Sequence, residues 1–111
     1  MERVTVADAV RELEDLSGCL DNAYWDSSAV HQKDLFYNLI SILHAELNEL
    51  AKLSVSDHYM AYEPITAPWR GALGKLKQLQ GNIDNGVLRS KTASHLEEHL
   101  PKVIRFFTGL N

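Results

Sequence analysis

The chain has 111 residues, 45% of them hydrophobic and 23% charged, and a formal net charge of −4. That length implies one domain, 1–111, able to bury about two thirds of its unfolded surface with no metal or disulfide to hold it together. The composition excludes disorder, the lone Cys19 excludes an internal disulfide, and no apolar run is long enough to cross a membrane.

The opening Met-Glu-Arg-Val-Thr lacks the basic-then-apolar order of a secretory leader, which makes the cytoplasm the expected location. Thr5 follows as a helix N-cap with Asp8 at the capping-box position, and Val4 and Ala9 are placed for a hydrophobic staple. Val6, Val10, Leu13, Leu20 and Tyr24 fall on one face, with Ala9 and Leu16 beside them. Arg11, Glu12, Glu14 and Asp15 fall on the other. The spacing predicts an amphipathic helix over 5–24, soft only at Gly18. Cys19 on its stripe reads as a small buried apolar group, since nothing nearby promises the lowered pKa that reactivity needs.

Asp26, Ser27 and Ser28 are cap-type residues between two apolar patterns and read as a tight connection. The next stretch is the one around which the chain is expected to be organised. Leu35, Leu39, Leu43, Leu47 (or Glu46) and Leu50 keep a three-to-four-residue step, widened by Phe36, Ile40 and Ile42. A helix over 35–53, beginning near Ala29, would be covered on more than one side. Two ends are open to it: a stop near Ser54, or a run to about Tyr62, with Glu63 before Pro64 as the limit.

Thr66 caps a third predicted helix, with Pro68 harmless in its first turn. Trp69, Leu73, Leu76, Gln80 and Ile83 form its stripe, and Gly71 and Gly74 suggest close approach by another helix or chain. Asn85-Gly86 suits a left-handed C-cap. A fourth helix starts at Ser90, Thr92 or Ser94 and lines its face with Leu96, Leu100, Val103, Ile104, Phe107 and Leu110, stopped by Gly109. Pro101 inside it removes one hydrogen bond and clashes with the Glu97 carbonyl, which predicts a kink or a break. The expected fold is all-α: an antiparallel four-helix bundle with a long central second helix and a Pro-kinked fourth helix.

The charge is uneven. Residues 1–63 hold twelve acids and four bases, whereas residues 64–111 hold three acids and seven bases. Nucleic-acid binding by the basic half is one reading. Complementary charge between packed acidic and basic helices is the plainer one, because the basic half has neither a dense cluster nor interleaved aromatics. Nucleic acid is therefore not the expected partner.

His95-Leu96-Glu97-Glu98-His99 is the sharpest motif. Two histidines four apart share a helix face, and Glu98 stands as in the H-x-x-E-H pattern of inverted zinc peptidases. A chain this short, with no third ligand or cleft in view, does not support that enzyme. A milder reading is a divalent metal or small molecule held by His44, His95 and His99, with Glu46 as a further donor. The plain alternative is three rim histidines, solvated or bonded to carboxylates. No cofactor is expected outside that case.

The segment from Asp57 to Ile65, followed by Trp69, gathers Tyr59, Met60, Tyr62 and Trp69 near a proline-limited connection. Such composition resembles recognition surfaces, so these four are candidate partner-binding residues. The plainer reading is that they cap one end of the core. Tyr24-Trp25 is expected at the opposite end. No nucleophile elbow and no phosphate loop occurs, and Gly71-Ala72-Leu73-Gly74-Lys75 lacks the strand-to-helix context, so catalysis is not expected. Together these features lead to a small helical protein acting by association, as a homodimer or with another protein.

Overall fold

The computed structural model describes residues 4–27, 30–84 and 90–108. It is all-helical: α1 (Val6–Asp26), α2 (Val30–Ala51), α3 (Ala67–Arg70), α4 (Leu73–Asp84) and α5 (Ser90–Thr108), with a 3-10 turn at Ser56–Tyr59. Among the described residues there is no strand, only one isolated antiparallel bridge between Thr5 and Ala61. Ser28, Ala29, Asn85, Gly86, Gly109 and Leu110, to which the sequence assigned caps, starts, stops or stripe positions, lie outside the described residues.

α1 begins as expected. Asp8 N–H donates to Thr5 Oγ1 at 3.1 Å and Thr5 N–H to Asp8 Oδ2 at 3.3 Å, closing the capping box. Its apolar face, Val6, Ala9, Leu13, Leu16, Cys19, Leu20 and Ala23, is wholly buried. α1 packs on both α2 and α5 and touches the 3-10 turn, while α2 packs on α1 and α3 and is hydrogen-bonded to α4, so both helices are covered on more than one side. The small Ala9, Cys19 and Ala23 let two neighbours share the buried stripe of α1.

α2 stops at Ala51 rather than reaching Tyr62. Its last carbonyls accept from residues three ahead, Lys52 N–H to Glu49 O and Leu53 N–H to Leu50 O, both at 3.2 Å. Ser54 then takes over: its carbonyl and its hydroxyl accept from Asp57 N–H at 3.1 and 3.3 Å, starting the 3-10 turn. A side chain that satisfies the backbone locally competes with helix continuation.

The single helix predicted from Thr66 to Ile83 is two helices. Thr66 caps α3 through Trp69 N–H at 3.3 Å, and Gly71 ends it after one turn, with φ −92° and ψ 8°. Ala72 N–H donates to Trp69 O at 3.0 Å, and α4 restarts at Leu73. Glycine leaves the helical region at the least cost, which makes this the weak joint of the segment. Nothing approaches Gly71 or Gly74 closely. A Cβ at Gly71 would meet only α3's own carbonyls at 3.8 Å and beyond, and one at Gly74 would meet nothing within 4 Å.

α5 runs through Pro101 without a break. Hydrogen-bonded pairs give the sense of each neighbouring helix: Ser17 with His44 and the Tyr24 carbonyl with Lys33 between α1 and α2; Glu12 with His99 and Asp26 with Thr92 between α1 and α5. Gln32 with Asn82 and Asn38 with Lys75 link α2 to α4. Each pair ascends one helix while descending the other. Phe36, Leu39, Leu43, Leu50, Trp69, Leu76, Leu79, Leu96, Leu100 and Val103 fill the space between them.

Candidate functional site

The connection from α2 to α3 is held from beneath by one acid. Glu46 lies on the buried stripe of α2 with Leu39, Leu43 and Leu50, and its side chain is fully shielded. Its carboxylate accepts from Tyr62 Oη at 2.5 Å and from the backbone N–H groups of Ile65 and Thr66, both at 2.8 Å. A buried acid is tolerated only when its oxygens are bonded, and three donors meet that need. On the other side of Tyr62 the segment pairs with the start of α1: Val6 N–H donates to Met60 O at 2.9 Å and Tyr62 N–H to Val4 O at 2.8 Å. Residues 60–66 are thus fixed at both edges.

Tyr62 packs edge-on against Phe106, ring centroids 5.4 Å apart, and Trp69 lies against Phe107 at 4.8 Å. Burial, followed by the hydrogen bond and the charge of Glu46, pushes the Tyr62 hydroxyl far above its ordinary 10.0. The Trp69 indole opposes that rise weakly from nearby, although its N–H makes no hydrogen bond of proper geometry. These two of the four candidate partner-binding residues are therefore interior. Their rings complete the core at the end of α5.

The other two are outside. Tyr59 is 77% exposed and Met60 60%, and Val55, which the sequence gave no reason to single out, is 79% exposed. A second exposed set, Trp25, Val30 and Tyr37, lies at the opposite end of α1 and α2. There Lys33 Nζ donates to the Tyr24 carbonyl at 2.7 Å and stands over the Tyr24 and Trp25 rings at 4.3 and 5.6 Å. The sequence signal for Val30 and Tyr37 was their seven-residue spacing, on the side of α2 away from Leu39 and Leu43.

The three histidines do not converge. His44 is exposed and bonds Ser17 Oγ at 3.1 Å; His95 is exposed; His99 Nδ1 meets Glu12 Oε1 at 3.2 Å. Among the described residues the one set of three ligand-type side chains is Glu12, Asp15 and His99, whose ligand atoms lie within 4.8 Å of one another. Glu46, the further donor considered for a metal, is committed to Tyr62 and the Ile65–Thr66 backbone. The convergence at His99 comes from α1 rather than α2, which a helical wheel of either helix alone does not reveal.

Two shallow depressions adjoin α5. One, about 170 Å³, is lined by Gln80, Ile83, Glu97, Leu100 and Pro101. The other, about 390 Å³, opens between Glu63, Pro64, Arg70, Phe106 and Phe107. No helix among the described residues is long and apolar enough to cross a membrane. No protein-family model, curated protein or solved structure matches this chain.

Proposed function

We propose that the chain is an antiparallel four-helix bundle, kinked at Pro101, that acts by associating with a second copy of itself through Val55, Tyr59 and Met60. One observation carries this reading: these large apolar side chains stand 79%, 77% and 60% exposed on and beside a 3-10 turn that packs on α1 and leads, from Met60 onward, into the connection held by α1 and Glu46. A turn whose backbone is already hydrogen-bonded loses little backbone freedom on docking, which lowers the usual obstacle to binding by a loop. Aromatic and Met side chains are the groups enriched at the centres of such contacts.

Charge favours a second copy as the occupant. In a two-fold contact the same patch meets itself, so a patch of one charge sign faces that same sign. The outer side of α1 presents Glu14, Asp15 and Asp21 and would repel its own copy. Across 54–62 only Asp57 carries a formal charge, and it is half-buried, so this rim can meet itself without that penalty.

Light scattering across a concentration series tests the reading. The natural chain is expected at twice its 12.5 kDa mass at high concentration, and a Tyr59→Ser/Met60→Ser chain is expected to stay monomeric. A natural chain that remains monomeric throughout overturns it, as does a dimer abolished by Trp25→Ser but unaffected by the double change. A different class, nucleic-acid binding by exposed Arg70, Lys77, Lys91 and Lys102, is disposed of if a low-salt filter assay retains nothing.

A further inference from the structure

The geometry points to a divalent-cation site across the seam of α1 and α5, with the carboxylates of Glu12 and Asp15 and Nδ1 of His99 as its ligands. The three ligand atoms lie within 4.8 Å of one another. Zinc-type ions bond oxygen and imidazole nitrogen at about 2.0–2.2 Å, so ligand atoms around one ion sit roughly 3–4 Å apart. Glu12 and His99 already meet at 3.2 Å, and Asp15 is an exposed side chain one helical turn from Glu12, free to swing the remaining distance. One imidazole with two carboxylates suits zinc, nickel or cobalt, leaving coordination positions for water.

Three further features fit a cation here. The Glu12 and His99 side chains are only 20% and 17% exposed, so much of their desolvation is met by folding rather than by binding. The present counter-charge is loose: Lys102 Nζ stands 3.9 Å from Glu12 Oε2 on a side chain 46% exposed, which makes it an easily displaced neighbour. Negative charge also gathers along the same seam, because Asp15 and Glu98 both push up the thiol of buried Cys19, after burial itself. The set differs from His44, His95 and His99, and it is independent of whether the chain dimerises.

The test uses the chain stripped with EDTA and melted with and without Zn²⁺ or Ni²⁺. A ligand bound only by the folded state raises the melting temperature, by several degrees once the ion is about a hundredfold above its Kd. The natural chain is expected to show that rise, and His99→Gln and Asp15→Asn to lose most of it. His44→Gln is expected to keep it, and Lys102→Ala to enlarge it by removing the competing ammonium. Asp15 is exposed, so Asp15→Asn leaves a folded protein even if His99→Gln does not. No rise at millimolar ion, or a rise that Asp15→Asn leaves intact, overturns the site.

Discussion

The hydroxyl of Tyr62 donates to the carboxylate of Glu46 at 2.5 Å, tying the chain after α2 back onto the last two turns of α2. Glu46 also holds the N–H groups of Ile65 and Thr66, and Thr66 in turn caps α3, so one acid fixes the connection that joins the exposed rim to α3. Glu46→Ala leaves a buried hydroxyl and two backbone donors without partners, and is expected to cost about 4 kcal/mol. Tyr62→Phe removes one donor while the other two remain, and is expected to cost about 1 kcal/mol. Urea unfolding of both variants checks the order. Equal losses would mean that the backbone N–H bonds contribute nothing.

Alkali is expected to weaken the fold through the same residue. An unfolded tyrosine loses its proton near 10.0, whereas Tyr62 in the folded chain keeps its proton to higher pH. Above pH 10.0 the unfolded state therefore holds fewer protons than the folded one. Stability is whole below that point and falls as pH rises, by up to about 1.4 kcal/mol per pH unit for one proton. Urea melts between pH 8 and 11 are expected to show a shallower alkaline decline in Tyr62→Phe than in the natural chain. Identical slopes would contradict the burial of that hydroxyl.

Cys19 is expected to be inert. Burial first, and then the charges of Asp15 and Glu98, hold its thiol above the ordinary value of 9.0, which suppresses the reactive thiolate at neutral pH. A thiol-specific chromogenic reagent is expected to titrate it in denaturant and only slowly, over hours, without. A rapid reaction with the folded chain would show that the α1–α5 seam opens.

Two glycines are expected to be improvable. A Cβ at Gly18, inside α1, or at Gly81, inside α4, meets nothing within 4 Å. Gly18→Ala and Gly81→Ala should each raise stability by about 0.5–1 kcal/mol, the helix-propensity gain alone. Thermal melts decide it. A loss at either site would mean that something outside this chain packs there.

Local chemistry made α1 legible in the sequence: Thr5 and Asp8 form a cap from four consecutive residues, and the buried stripe needs only the helical period. The apolar face of α5 through Leu96, Leu100 and Val103 was readable for the same reason, while its start at Ser90 was one of three the sequence left open. The joint at Gly71 was not, because a Thr66 cap, Pro68 and a regular stripe all argue for one helix until the burial of Trp69 is known. Glu46 left a signal, a carboxylate interrupting Leu39, Leu43 and Leu50, but its partners lie 16 to 20 residues away and depend on how the connection folds back. Tyr62 and Trp69 stood between a surface and a core-capping reading for that reason too. Composition marks aromatic groups as candidates for a surface, while only the positions of Phe106 and Phe107 decide that they face inward.

Hydrogen exchange of the backbone at low and high protein concentration tests association through the Val55–Met60 rim most directly. Raising the concentration is expected to slow exchange selectively at residues 54–61, leaving 22–37 at the other end unchanged. Exchange that is independent of concentration everywhere, or protection appearing around Trp25 and Tyr37 instead, would contradict it.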